Sequence, residues 1–189
     1  MSIVSIVQLP TKVLREKARE VSAKEITSPR IQELISRMKK TLAASENGVG
    51  LAAPQIGESL QIFLVSEEAE EIDKGRPPTV TEASPPQDPE TKLQKRTWRY
   101  DVFINPKIKK ISRKKNEFPE GCLSVVGKFG IVPRPEKITV EAYDENGKKF
   151  VRSATKFVAR VIQHELDHLQ GVLFIDKATQ MLASEHNTS

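Results

Sequence analysis

The sequence lacks several features that would place it in a specialised class of protein. Its 189 residues include one cysteine, Cys122, so an internal disulfide is impossible and we expect a reducing compartment, the cytoplasm. No apolar run approaches the roughly 18 residues of a membrane helix, and the opening residues lack the pattern of a secretory signal. The aromatic residues are few and scattered, unlike those of RNA-binding modules. We therefore expect a globular protein with no membrane partner and no sequence-specific nucleic-acid partner.

Charge is distributed unevenly along the chain. Residues 66–92 contain eight acidic and three basic residues, a net charge of −5, and because the whole chain carries +5 the remainder carries +10. Five prolines lie between positions 77 and 89, so we predict a long exposed loop, an insertion at about 66–100 within a single domain spanning 1–189. The basic remainder is compatible with transient ribosome contact, although solvated surface lysines are the simpler explanation.

Apolar spacing predicts two helices. The first has Ser28 as N-cap, Pro29 at its first position and Gly48 as a stop signal. The second begins at a possible Ser153 cap and ends at Gly171. Its apolar stripe would anchor it in the core.

The remaining periodic segments predict strands. Residues 60–65 form a continuous apolar run typical of a buried strand, and two short strands are expected on either side of Pro106. Residues 136–143 alternate, and the turn sequence Asp-Glu-Asn-Gly joins them to residues 148–153 as a hairpin. The fold class is therefore α+β, with antiparallel β-sheets around a central α-helix and another helix near the N-terminus.

The sequence "QHELDH" (163–168) contains the H-E-x-x-H pattern, in which His164 and His168 lie on one helix face and can bind one metal ion. Glu165 is rotated away from that face, which suits a base that contacts bound water, although a solvated glutamate is the alternative. Asp167 is interpreted as a supporting or surface carboxylate without a catalytic role.

A metal ion bound by these two imidazoles needs a third protein ligand. In one protease pattern it would lie at position 174, which is phenylalanine, and the later candidates Glu185 and His186 belong to a polar tail. Cys122, in "EGCLS" (120–124), is the stronger candidate, because Cys-His-His suits zinc or ferrous iron and leaves a coordination position for water. The alternative is a buried cysteine that acts as a small apolar side chain.

A third stretch, "GVGLAAPQIG" (48–57), matches the dinucleotide-binding pattern G-x-G-x-x-A. That pattern must follow a strand and open a helix, whereas this stretch follows a helix and runs into Pro54 and Gly57. We therefore favour a segment whose backbone approaches a ligand while Gln55 supplies an amide donor; a plain turn is the alternative.

In this order, "GVGLAAPQ", "EGCLS" and "QHELDH" resemble the three signature motifs of the peptide deformylase family, and the resemblance extends over nearly the whole chain. Members remove the formyl group from the N-terminal methionine of new proteins. The resemblance implies that Cys122, His164 and His168 bind one divalent metal ion. Fe²⁺ is the expected native ion, and Zn²⁺, Ni²⁺ or Co²⁺ can substitute for it. The implied substrates are N-formylmethionyl nascent peptides.

The resemblance also implies the remaining roles in the site. Glu165 would be the general acid and base, while Gln55 and the backbone N–H of Leu123 would stabilise the oxyanion. Gly50 and Gly121 would hold the peptide backbone in an extended conformation.

An apolar pocket is needed for the methionine side chain. The candidates are residues that flank the three motifs, although each could equally belong to the ordinary core: Val49, Phe118, Phe157 and Val161.

Three residues depart from the family pattern, besides the long insertion. Val126 stands where proline is common, Phe129 where arginine is frequent, and Lys156 where glycine is usual. Because of these departures, a second hypothesis is that the protein is a metallopeptidase or an amidase that acts on another acyl group. A catalytically inactive, metal-stabilised protein that binds ribosomal RNA is a third hypothesis, against which the intact Glu165 argues.

Overall fold

A computed structural model describes residues 3–45, 48–75 and 99–182. Within these ranges the helices are α1 (Pro29–Ala44), α2 (Glu68–Asp73) and α3 (Lys156–Leu169). The strands are β1 (Gly50–Ala52), β2 (Ile62–Ser66), β3 (Tyr100–Ile111), β4 (Lys115–Cys122), β5 (Val125–Pro135), β6 (Lys137–Tyr143), β7 (Lys149–Thr155) and β8 (Gln180–Leu182). These strands pair antiparallel, which confirms the α+β prediction.

The strands form two sheets. The larger has the order β1-β2-β3-β6-β7, and the smaller has the order β4-β5-β8. Strands β1 and β4 therefore each lie at an edge of their own sheet in the described part of the chain. Edge strands present backbone N–H and C=O groups that can pair with an added strand.

The larger sheet lies between α3 and α1, as the alternating side chains of β2 show. Phe63 and Val65 belong to the apolar cluster that contains the α3 residues Val158, Val161 and Ile162. Ile62 and Leu64, which alternate with them, belong to the cluster of α1. Because successive side chains of a strand point to opposite faces, β2 is buried on both sides, which accounts for its continuous apolar sequence. The predicted buried strand is confirmed.

The start of α1 is also confirmed. The Ser28 side chain accepts a hydrogen bond from the Ile31 N–H at 3.4 Å, and Pro29 occupies the first helical position. The helix ends at Ala44, however, and not at Gly48, because the chain becomes extended at Ser45. No helix in the described ranges is both long enough and apolar enough to cross a membrane.

Two strand predictions meet different outcomes. The hairpin is confirmed as β6 and β7, with Ile138, Val140 and Ala142 buried on one face. The interruption at Pro106 is wrong, because β3 continues through it with a bulge between Ile104 and Lys107. Asn105 has a φ of 51° there, and its side chain bonds the N–H and C=O of Val21 at 2.8 and 2.7 Å.

The start of α3 is another correction. The predicted cap Ser153 lies within β7, and its hydroxyl is hydrogen-bonded to that of Thr139 at 2.9 Å. The helix begins at Lys156, which has the left-handed φ of 51° that glycine adopts more readily. The next two N–H groups, those of Phe157 and Val158, donate to the Asp73 carboxylate at 3.0 and 3.3 Å. A residue distant in sequence therefore caps this helix.

Part of the predicted exposed loop is helical. Residues 68–73 form α2, and Ala69 is fully buried against the α3 side of the larger sheet. Glu70 forms an ion pair with Arg152 of β7, and Asp73 caps α3. The loop prediction is therefore wrong for residues 68–73, while its proline-rich part at 76–98 lies outside the described residues.

Candidate metal and catalytic site

The structure brings together the three residues proposed as metal ligands. Cys122 ends β4, while His164 and His168 are separated by one turn of α3. One potential ligand atom from each lies within 4.8 Å of the others, and Cys122 Sγ lies 3.3 Å from His168 Nε2. Ligand atoms around one tetrahedral ion are separated by about 3.5 Å, so a small contraction would complete the arrangement. These side chains can hold one metal ion.

The two histidines differ in their surroundings. His168 is fully buried, and burial holds its pKa well below the ordinary value, so its ring is neutral. Burial would also lower the pKa of His164, but hydrogen bonds to Cys122 and Glu120 raise it to about 10. A cation would take the place of a proton at this position, as is usual for metal binding to protein ligands.

Glu120 fixes the orientation of His164. The His164 Nδ1 lies 3.1 Å from Glu120 Oε2, and because an ionised carboxylate can only accept, Nδ1 carries the hydrogen. The other ring nitrogen, Nε2, is then left for the ion. Carboxylates that hold a ligating histidine in this way determine both its tautomer and its basicity.

Two buried arginines keep Glu120 ionised. Arg134 contacts its carboxylate with Nε at 2.5 Å and Nη2 at 2.8 Å, and Arg160 Nη1 contacts it at 2.6 Å. Burial would raise the pKa of Glu120, but hydrogen bonds from Arg134 and His164 lower it to about 2. We call Glu120, Arg134 and Arg160 the ionic cluster.

Sequence reasoning assigned no role to the residues of the ionic cluster, although weak signals for two of them exist. Glu120 lies only two residues before Cys122, in the same short motif. Arg160 precedes His164 by four residues and lies on the same side of α3. Asp167, interpreted as a supporting or surface carboxylate, accepts from Arg134 Nη1 at 2.8 Å and Lys177 Nζ at 2.6 Å.

Glu165 lies beside the candidate ligands in an almost completely buried position, with 3% of its surface exposed. Burial raises its pKa to about 7, although the charges of His164 and Arg134 oppose the increase. Its Oε2 has no hydrogen-bond partner among the described residues. Gly50 packs so closely against Glu165 that a Cβ at position 50 would collide with Oε1. A carboxyl group with a pKa near neutrality can both accept and donate a proton.

Gln55 points its amide nitrogen at the same site. Its Oε1 accepts the Ala52 N–H at 2.8 Å, which fixes the orientation of the amide. Its Nε2 lies 3.6 Å from Cys122 Sγ and 3.4 Å from Ser124 Oγ. The backbone of Leu123 is held in place by a hydrogen bond from Gln8 Nε2 to its carbonyl at 2.8 Å.

A cleft of about 390 Å³ opens onto these groups. Most of the residues expected to contact substrate line it: Val49, Gly50, Gln55, Gly121, Leu123, Phe157 and Val161. Phe118 does not belong to the described lining; it is 59% exposed, and the Arg160 guanidinium lies 5.8 Å from its ring centroid. Val126, Gly127 and Phe129 complete one wall of the cleft.

Comparisons with known proteins show the family to which the chain belongs. Residues 3–183 match the model of the polypeptide deformylase family. The chain is 41% identical over 165 residues to peptide deformylase 1A of Arabidopsis thaliana, covering 87% of this chain but only 57% of the relative. It is 39% identical to the peptide deformylase of Desulforudis audaxviator, covering 95% and 96% of the two chains.

A solved structure gives the same result. The class I type b peptide deformylase of Acinetobacter baumannii superposes with a TM-score of 0.75 at 29% identity, covering 94% of this chain and 99% of that one. The chain belongs to the polypeptide deformylase family.

Proposed function

We propose that this protein is a peptide deformylase, a metal-dependent amidase that hydrolyses the formyl group from the N-terminal formylmethionine of newly synthesised proteins and releases formate. The observation that carries the proposal is the convergence of Cys122, His164 and His168 next to the buried Glu165, at a cleft that Cys122, His164 and Glu165 line. Family membership supports the same reaction.

One divalent ion would be held by Cys122 Sγ and by nitrogens of His164 and His168. A bound ion supplies Lewis acidity, which lowers the pKa of water towards about 7 and so provides a nucleophile at neutral pH. A sulfur and two nitrogens suit either Zn²⁺ or Fe²⁺. Because the family commonly uses ferrous iron, we propose Fe²⁺ as the native ion, with Zn²⁺, Ni²⁺ or Co²⁺ as substitutes.

Glu165 would accept the proton of the attacking water and later give a proton to the departing amine. Its pKa of about 7 suits both steps, because an acid–base group works best when its pKa is close to the working pH. Such proton transfer contributes about 10² to 10⁴ in rate.

Gln55 Nε2 and the Leu123 N–H would stabilise the negative charge that develops on the formyl oxygen. The Gln55 amide is already oriented by its bond to Ala52, so little reorganisation is needed when the charge appears. Loss of one such donor reduces kcat by about 10² to 10³.

The peptide would bind in an extended conformation between the two edge strands. Gly50 on β1 and Gly121 on β4 both line the cleft, and their backbones can pair with a peptide that adds a strand. The methionine side chain would then lie against Val49, Phe157 and Val161. The proposed substrates are N-formylmethionyl nascent peptides in the cytoplasm. The enzyme would reach them during transient contact with the ribosome.

The decisive experiment is formate release from formyl-Met-Ala-Ser by protein purified without oxygen and loaded with iron, nickel or cobalt. We expect turnover with formylated peptide and none with acetyl-Met-Ala-Ser. Equal turnover of the acetylated peptide would favour an amidase of different acyl specificity, and absence of formate with every metal would refute the proposal.

A single variant tests the role of Glu165. Glu165→Gln should retain metal, measured by elemental analysis, but lose about 10² to 10⁴ in kcat. Glu117→Gln is the matched control, because Glu117 is an exposed carboxylate on β4. A fully active Glu165→Gln enzyme would contradict the assignment.

A further inference from the structure

An exposed aromatic ring forms part of the cleft wall. Phe129 on β5 is 51% exposed and lies directly opposite Gly121 of β4. Its ring is folded over that glycine, because a Cβ at position 121 would lie 2.7 Å from Phe129 Cε1. Val126, 75% exposed, lines the same cleft. We call Phe129 and Val126 the apolar platform.

Phe129 of the platform and the methionine pocket lie on opposite faces of β4. Glu120 points towards α3, as its contact with Arg160 shows, and α3 also carries Phe157 and Val161. The neighbouring Gly121 faces the other way, and its strand partner Phe129 shares that face.

This alternation predicts where the side chains of a bound peptide would go. In an extended peptide, consecutive side chains also point to opposite faces. If the methionine side chain enters the pocket on the α3 side, the next side chain points towards Phe129. The exposed part of the Phe129 ring would give that side chain an apolar contact. Neither residue of the platform carries a charge that could pair with it.

We propose that the apolar platform binds the side chain of the residue that follows formylmethionine, so that the enzyme prefers peptides with a large apolar second residue. This inference rests on the proposed function and specifies its substrate class. Contact with a half-exposed ring should raise kcat/KM about 3- to 10-fold for phenylalanine over alanine at that position.

The test compares kcat/KM for formyl-Met-X-Ser peptides in which X is Ala, Leu, Phe or Asp. In the unmodified holoenzyme we expect Phe and Leu to exceed Ala, and Asp to be poorest. Phe129→Ala should reduce the Phe-to-Ala ratio to about 1, whereas Phe129→Leu should retain most of it. Phe129→Arg should reverse the order and favour Asp, because a guanidinium pairs with a carboxylate.

Val151→Ala is the control, because Val151 is 61% exposed on β7 and is not part of the described cleft lining. It should leave all four values unchanged. Equal kcat/KM for the four peptides in the unmodified enzyme, or an unaltered ratio in Phe129→Ala, would overturn this inference while leaving the deformylase proposal intact. Failure to release formate from any of the peptides would instead refute the proposed function, and the preference with it.

Discussion

Replacement of Glu120 by glutamine should affect both stability and metal binding. The Glu120 carboxylate accepts from Arg134, Arg160 and His164, all at 3.1 Å or less. Glutamine offers one acceptor oxygen, and its NH₂ group would face a guanidinium donor. Removing one partner from a buried ionic group costs about 3–5 kcal/mol, because the remaining charges stay buried without compensation.

The pKa of Glu120 gives an independent magnitude. Its lowering from 4.5 to about 2 in the folded protein corresponds to about 3 kcal/mol of stability. Because the folded pKa is the lower one, this contribution is complete above pH 4.5 and is lost as the pH falls towards 2. The penalty of Glu120→Gln should therefore be constant between pH 5.5 and 7 and should decrease below pH 4.5.

Urea unfolding of metal-stripped protein between pH 3 and 7 measures this penalty without a contribution from metal loss. Glu117→Gln, on the same strand but exposed, should show little change. Metal titration at pH 7 should give an affinity about 10- to 100-fold lower for Glu120→Gln, because His164 loses its fixed orientation. A penalty below 1 kcal/mol, or one that does not vary with pH, would refute the reasoning.

Three further substitutions test local features of the site. Gly50→Ala should lower kcat about 10²-fold with metal content unchanged, because the new Cβ displaces Glu165 by up to about 1 Å; wild-type kcat would contradict this. Lys156→Gly should stabilise the protein by about 0.5–1 kcal/mol in urea unfolding, because it relieves the left-handed φ, whereas Lys156→Ala should bring no gain. Asp73→Ala should destabilise it by about 1 kcal/mol, since two N–H groups at the start of α3 lose their acceptor. Asp73→Asn, which keeps one acceptor oxygen, should lose about half as much, and equal stability of all three proteins at position 73 would argue against the cap.

The parts of the fold that follow from the sequence are those fixed by short-range patterns. The cap at Ser28, the continuous apolar run of β2 and the alternation of β6 each reflect neighbours within a few residues. The same is true of the two histidines, whose spacing of four places them on one helix face. For these features the structure predicted from neighbouring residues is the structure that is observed.

The mistaken predictions involve long-range contacts. A six-residue helix such as α2 has little stability of its own, and it depends on contacts with Arg152 and the start of α3. The start of α3 is set by Asp73 rather than by the nearby Ser153. A local reading of the sequence can recognise an N-cap serine but not a cap that comes from another helix.

The residues of the candidate site also fall into two groups, those that short motifs indicate and those that only long-range contacts bring together. The proposed metal ligands, Glu165 and Gln55 could be selected from the sequence because they lie in short motifs. The ionic cluster could not, because Arg134 and Arg160 are 14 and 40 residues from Glu120 and become its partners only when β5 and α3 pack against β4. Phe118 shows the opposite error, since nearness to a motif did not place it in the cleft lining.

The ionic cluster also explains how the two sheets can form one site. Gln55 follows the edge strand of the larger sheet, whereas Cys122 ends the edge strand of the smaller one. The smaller sheet contributes to the buried apolar cluster of Val125, Val132, Leu173 and Phe174, which is much smaller than the two clusters of the larger sheet.

Arg160 of α3 donates to the Glu120 carboxylate of β4, and Arg134 of β5 donates to Asp167 of α3, so these ion pairs join the smaller sheet to the helix. Cys122 is two residues from Glu120 on β4, so the contacts that join the smaller sheet to the helix also affect the distance between the Cys122 sulfur and the two imidazoles. Stability of the sheet junction and affinity for the metal should therefore change together in variants of this cluster.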